Sequence, residues 1–259
     1  MAISRQQLIS VGAVLILGVA CLSGCTSTPV AVDVEPTSTQ VAPVPAETSP
    51  PTSSSLAPAQ GCPENDLPVP GDAVVGQIGD VDGDGQLDQQ FYVETGGFAY
   101  GIHTASGATI ILPDDLAGPN THSGWSVTTG QNVVATVLAD GRSATLHGFV
   151  NCAFTIPVGI GGQPYTFSLA GFSDTGTGVA CGPADASGYR KIFGVDARPQ
   201  SDGRYTIKST EVDLSADGRT ATNGASMTDP NTYVSNDPAV TTAMTARCEG
   251  VEVVHTSGR

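Results

Sequence analysis

Gly79-Asp80-Val81-Asp82-Gly83-Asp84-Gly85-Gln86-Leu87-Asp88-Gln89-Gln90-Phe91-Tyr92-Val93 is the stretch that decides how this chain is read. Counted from Asp80, carboxylates stand at positions 1, 3, 5 and 9, the spacing at which alternate aspartates of a tight turn converge on one hard cation. Calcium takes six to eight oxygen ligands and fits that donor set. Gln86, at position 7, adds its backbone carbonyl, and Gly85, at position 6, permits the sharp turn. The expected cofactor is therefore calcium, with Asp80, Asp82, Asp84, Gln86 and Asp88 as its ligands. A helix-flanked calcium hand also needs an oxygen ligand at position 12, and that position is Phe91. The residues after Asp88 are β-prone, so the loop leads into a strand instead.

The same kind of segment recurs along the rest of the chain. Thr109-Ile110-Ile111-Leu112, Val133 to Leu138 and Tyr205-Thr206-Ile207 are short β-branched or aromatic runs between Gly, Asp, Asn and Pro clusters. No long helical period interrupts them. The best helix candidate is Pro238 to Arg247, with Asp237 as cap and Pro238 at the first helical position. Three Asp-Gly-Arg triplets, at Asp140, Asp202 and Asp217, carry the hairpin-turn signal of Asp-Gly between β-prone flanks. Residues 61–259 thus read as one all-β domain, long enough at about 200 residues for a proper core.

GDVDGDGQLD followed by a strand resembles the FG-GAP/VCBS repeat of integrin-type propellers, in which such a loop joins two strands of a blade. A second stretch, from Gly178 to Gly188 ahead of Lys191-Ile192-Phe193, looks like the same loop decayed. Aligned on Gly85 and Gly188, it keeps Asp185 in place of Asp82 but has Pro183, Ser187 and Lys191 where Asp80, Asp84 and Asp88 stand. No metal is expected there. A third trace around Thr136 to Ala144 keeps only Asp140 and Gly141. Seven blades would need roughly twice this length. The resemblance therefore implies a compact, partly propeller-like domain of three or four degenerate β units.

Ahead of the domain, Leu22-Ser23-Gly24-Cys25 closes an apolar run that begins near Leu8 behind Arg5. The run is shorter than the about 20 residues of a spanning helix and reads as an export signal. It resembles the lipobox of bacterial lipoproteins, which implies a signal peptide over 1–24 and a lipid on Cys25 that holds the protein to the extracytoplasmic face of the cell membrane. Together with the aspartate loop, the chain resembles the FG-GAP-containing lipoproteins of actinobacteria. Residues 26–60 hold seven prolines and twelve Ser or Thr, with no aromatic, Lys or Arg. Such composition cannot build a core, so 25–60 reads as a disordered tether.

Of 10 Lys+Arg and 25 Asp+Glu, cleavage before Cys25 removes only Arg5, which leaves 9 against 25, a net charge of −16. That balance repels nucleic acid and anionic lipid and leaves cations, small molecules, neutral glycans or proteins as partners. Cys21 goes with the signal and Cys25 is acylated, so Cys62, Cys152, Cys181 and Cys248 remain. Widely spaced and exported, they favour two disulfides over a zinc site, with three connectivities open. Tying successive β units together and fastening the domain's ends favours Cys152–Cys181 and Cys62–Cys248.

Catalytic constellations are thin. His103, His122, His147 and His255 have no metal-ligand spacing. Ser173 lacks the glycine frame of a nucleophile elbow. Asp114 and Asp115 are adjacent, so on an extended chain they point opposite ways. Trp125, the single tryptophan, is a candidate for stacking on a sugar, or else fills the core. No catalytic residue is assigned. The expectation is a calcium-stabilised domain for binding a protein or glycan or for scaffolding; the alternative is an enzyme or accessory protein acting on cell-wall glycans.

Overall fold

The computed structural model describes residues 61–118, 121–130, 133–170 and 175–256, all inside the unit Ser55–Arg259. The signal, the tether with Cys25, and Ser173 lie outside the described residues. The all-β expectation holds: fourteen strands and one short helix are described. Strands β1 (Val74–Gln77), β2 (Gln89–Val93), β3 (Ala99–His103) and β4 (Thr109–Pro113) form an antiparallel meander. A second is made of β5 (Ser123–Thr129), β6 (Val133–Ala139), β7 (Ser143–Val150) and β8 (Ala153–Thr155), with β9 (Thr166–Ser168) pairing the other half of β7. The third runs β10 (Gly176–Cys181), β11 (Ile192–Pro199), β12 (Tyr205–Leu214) and β13 (Ala221–Thr228). The chain then returns, and β14 (Val254–His255) adds to the edge of β5.

β6, Val-Val-Ala-Thr-Val-Leu-Ala, shows why these sheets stack. All seven of its residues are buried, so it reads as a continuous apolar run, as a strand covered on both faces does. Val134 and Leu138 face the first sheet with Phe149, against Tyr92, Tyr100, Ile102 and Leu112. Ala135, Val137 and Ala139 face the third with Trp125 and Leu146, against Val179, Ile192 and Val212. The second sheet is thus the middle layer. Inside the first interface, the Tyr100 hydroxyl donates to Gln90 Oε1 at 2.7 Å and meets Ser126 Oγ at 2.6 Å, which in turn meets Thr136 Oγ1 at 2.7 Å. Burial holds the Tyr100 hydroxyl above its ordinary pKa. Among the described strands no barrel or propeller ring closes.

The Asp-Gly-Arg triplets are the β6–β7, β11–β12 and β12–β13 turns. Gly141, Gly203 and Gly218 take φ of 81°, 78° and 66°, which only glycine adopts freely. Each aspartate accepts the arginine's backbone N–H, at 2.8, 3.0 and 3.1 Å. The trace at Thr136 to Ala144 is therefore a plain hairpin between the second and third strands of its meander, whereas the aspartate loop lies between the first and second. The expected helix is shorter than its pattern: α1 covers Pro238–Thr242, capped by Asp237 Oδ1, which accepts the Ala239 N–H at 2.9 Å. The chain beyond it is drawn to the third sheet instead, where Ala246 bridges Val179 and Arg247 N–H donates to Val179 O at 2.9 Å.

Both expected disulfides are re-paired. Cys62 bonds Cys152, and Cys181 bonds Cys248, with Cα–Cα distances of 5.6 and 4.9 Å. The reason is local. Asn65 exchanges two hydrogen bonds with the Thr109 backbone, at 3.0 and 3.1 Å, and this lays the domain's first segment along β4. Cys62 then reaches the β7–β8 turn at Cys152. Cys248 follows the Ala246 bridge and so sits beside Cys181 at the end of β10.

Candidate metal centre

The aspartate loop joins β1 to β2 and folds on its own carboxylates. Asp80 Oδ1 accepts Gly83 N–H at 2.6 Å, and Oδ2 accepts Gly85 N–H at 2.9 Å. Gly83 and Gly85 have φ of 80° and 88°, so the turn needs glycine at both. Two other carboxylates reach outside the loop. Asp82 Oδ2 accepts Cys62 N–H at 2.8 Å and the Ser106 hydroxyl at 2.7 Å, while its Oδ1 accepts Asp84 N–H at 3.3 Å. Asp88, 1% exposed, accepts Val81 N–H at 2.7 Å and Ala105 N–H at 2.8 Å. The loop is thereby stitched to the domain's first segment and to the β3–β4 hairpin.

Asp80, Asp82 and Asp88 bring one carboxylate oxygen each to within 4.8 Å of one another. Each carboxylate offers about four lone-pair sites, so these N–H bonds leave acceptor capacity for a cation. Burial pushes the Asp82 carboxyl up, but hydrogen bonds from Cys62 N–H, the Ser106 hydroxyl, Asp84 N–H and the Thr104 side chain prevail and hold it below its ordinary value. Asp88 goes the other way. Burial raises it, the Val81 and Ala105 N–H groups lower it, and the charges of Asp82 and Asp80 raise it again, leaving its carboxyl above the ordinary value. A cation would remove that repulsion.

Asp84 and Gln86 stand apart from the trio. Asp84 Oδ1 accepts Gln86 N–H at 2.7 Å, and the Gln86 side-chain amide lies 3.5 Å from Asp84 Oδ2. Asp84 is not one of the three converging carboxylates. Sequence reading missed Ser106, Cys62 N–H and Gly61. A Cβ on Gly61 would lie 2.5 Å from Asp82 Oδ2, so that glycine is needed for the segment to pass the site. Nothing local to Gly61 or Ser106 signals this, because the contacts join residues about twenty apart.

Asp80 and Asp82 also wall a cleft of about 840 Å³. Its other sides come from Asn151 and Cys152 and from Ser187, Gly188 and Tyr189, with Val134 and Phe149 also lining it. No Lys or Arg is among its lining residues. Asn151 and Cys152, φ 50° and 62°, form the two-residue turn between β7 and β8. Ser187 and Gly188 close the decayed copy, whose first residues belong to β10 and whose remainder lies between β10 and β11, the same place in its meander as the aspartate loop. There Asp185 Oδ1 accepts the N–H of Ser187 at 2.8 Å and of Tyr189 at 3.0 Å.

Trp125 is corrected from possible ligand contact to core. It is 1% exposed, packed between the second and third sheets, and cannot stack on a sugar without opening that interface. Asp114 and Asp115 are buried and exposed respectively, as adjacency on an extended chain requires. Asp114 joins a closed network: its Oδ2 contacts the Tyr92 hydroxyl and lies 2.7 Å from His122 Nδ1, and its Oδ1 accepts Leu116 N–H at 2.9 Å. His122 Nε2 faces Gly118 O at 3.2 Å, and its ring stacks on Phe98 at 4.0 Å. With Tyr92 and His122 each 1% exposed, this cluster braces the fold and has no open side for a substrate. Among the described residues no helix is long and apolar enough to cross a membrane.

No protein-family model, no curated protein and no solved structure matches this chain.

Proposed function

We propose that the chain is an extracytoplasmic lipoprotein, anchored through Cys25, whose β domain is stabilised by calcium and serves binding or scaffolding. The observation that carries the metal reading is the convergence of Asp80, Asp82 and Asp88 within 4.8 Å. Asp84 and the Gln86 carbonyl stay secondary ligands in this reading. The metal's role is structural, because its ligands already tie three separate segments together. The β1–β2 and β10–β11 loops occupy equivalent places in their meanders, which supports reading the three meanders as degenerate, blade-like units. The cleft between those loops is the binding face this reading favours, and its lack of Lys and Arg suits a neutral or cationic ligand.

Titration calorimetry with calcium and melting with and without the ion test the proposal. Binding with a dissociation constant of about 10⁻⁴ to 10⁻³ M and a raised melting temperature are expected. No heat at millimolar calcium would sink it.

A further inference from the structure

A second opening shares no lining residue with the cleft beside the aspartate loop. It is a groove of about 890 Å³ between the second and third sheets. Small residues leave the space: Ala139 and Gly141 where β6 ends, and Ala180 on β10. Leu169, Val251 and Val253 add apolar walls continuous with the core in which Trp125 is buried. The segment from Thr242 to Glu249 forms another wall, held by the Ala246–Val179 bridge and the Cys181–Cys248 disulfide.

One side chain sets the chemistry of this groove. Arg247 is exposed on its wall, and among the described residues its guanidinium makes no ion pair and no hydrogen bond. Its backbone N–H donates to Val179 O, which fixes where the side chain starts. Two other ionisable groups line the groove: Glu249, whose carboxylate is not paired with Arg247, and His255, whose Nδ1 lies 3.0 Å from Thr256 O. In a chain with 25 acidic against 10 basic residues, a guanidinium left unneutralised beside an apolar groove is complementary to one small anion carrying an apolar tail. A carboxylate takes two N–H groups of one guanidinium in a plane, whereas a phosphate dianion asks for more positive charge than a single arginine beside Glu249 supplies. The chain's net negative charge opposes an extended anionic surface such as a bilayer far more than it opposes one carboxylate paired directly with Arg247, which favours a single molecule as occupant.

We propose that this groove binds a long-chain fatty acid, with its acyl chain lying along the groove against Leu169, Val251 and Val253 and its carboxylate on Arg247. The single tryptophan reports it. Ser123 lines the groove, and Trp125, two residues on and on the same face of β5, lies about 7 Å further along the strand. A brominated acyl chain that enters will quench Trp125 fluorescence.

The test uses residues 26–259, which keep the whole unit Ser55–Arg259 and carry no acyl group of their own. Titrated with dibromostearic acid, this protein should show saturable one-to-one quenching, and stearic acid should compete without quenching. Stearyl alcohol should bind more weakly than the acid. Arg247→Gln should weaken the acid about 10- to 100-fold, the loss of charged hydrogen bonds, and leave the alcohol unchanged. Absence of saturable quenching in the wild-type protein overturns the proposal. So does equal affinity for acid and alcohol, or an Arg247→Gln variant that binds the acid as wild type does. Quenching that saturates only with phospholipid vesicles, or a dimer whose groove excludes the acid, overturns it as well.

Discussion

Asp88→Asn separates what calcium contributes from what the loop contributes by itself. Asp88 is buried, accepts two backbone N–H groups and stands among the charges of Asp82 and Asp80. Asparagine keeps the shape and one acceptor oxygen but turns a donor toward one of those N–H groups. Losing a hydrogen bond to a charged acceptor costs about 1.5 to 3 kcal/mol. Neutralisation also relieves the burial of a charge and its repulsion by two carboxylates, which works the other way. In calcium-free buffer the two effects offset, and the variant's stability should fall within about 1 to 2 kcal/mol of wild type. With calcium at a hundredfold excess over its dissociation constant, the wild-type domain gains about 2.7 kcal/mol by mass action and the variant gains nothing. For a domain of this length that is about 5 to 10 °C of melting temperature. Calorimetric melts of both proteins, with calcium and with chelator, measure all four numbers. A variant that gains as much from calcium as wild type refutes the assignment of Asp88 as a ligand. Asp84→Ala is the companion measurement: lying outside the converging trio, it should lower calcium affinity less than Asp88→Asn does.

His147 makes stability depend on pH. Burial, opposed by the charges of Asp114 and Asp115, lowers its pKa to about 4, and its Nδ1 is buried without a partner, so the folded state holds it neutral. A depressed histidine binds protons in the unfolded chain first; stability is therefore full above about pH 6.5 and falls by about 3 kcal/mol by pH 4, and His147→Leu should flatten that part of the melting curve. The two disulfides close 90 and 67 residues, which the chain-entropy model values almost equally at about 4 to 5 kcal/mol, so replacing either pair by alanine should lower the melting temperature alike. Only loss of Cys62–Cys152 should also weaken calcium binding; equal calcium affinity in both double variants, by calorimetry, argues against the coupling. Cys25→Ala should release the protein from the membrane fraction, and an alanine variant that still sediments with membranes removes the lipid anchor from the reading.

The sheets were legible where both signals in a segment agreed. Each Asp-Gly-Arg triplet names its turn because φ above zero and an aspartate accepting the N–H two residues on are properties of three consecutive residues. β6 was legible as a strand from its unbroken apolar run. Trp125 was not resolved between surface and core: Trp125-Ser126-Val127-Thr128 alternates and so puts Trp125 and Val127 on one face, but alternation does not say whether that face meets another sheet or solvent. The disulfides were misassigned for a related reason. Cys62 finds its partner through Asn65 and Thr109, a contact spanning 44 residues that no local pattern announces. Helix α1 had a readable cap and an unreadable end, since the bridge at Ala246 is made with a strand more than sixty residues earlier.

The same division runs through the candidate metal site. Spacing within the loop is local and offers Asp80, Asp82, Asp84 and Asp88 as equal candidates, with the Gln86 carbonyl beside them. The loop's neighbours make the difference. Asp82 is pulled toward Cys62 and Ser106, and Asp88 toward Ala105, so these two carboxylates turn to the side where the domain's first segment and the β3–β4 hairpin meet. Among the described residues the Asp84 carboxylate is bonded by Gln86 alone. Donors outside the loop thus orient Asp82 and Asp88, while Asp80 is held within the loop by the N–H groups of Gly83 and Gly85; the donor Cys62 is itself placed by its disulfide and by the paired Asn65. The aspartates supply the oxygen donors that a hard cation would need; the packing of the first segment onto β4 and the β7–β8 turn sets how Asp82 is presented among them.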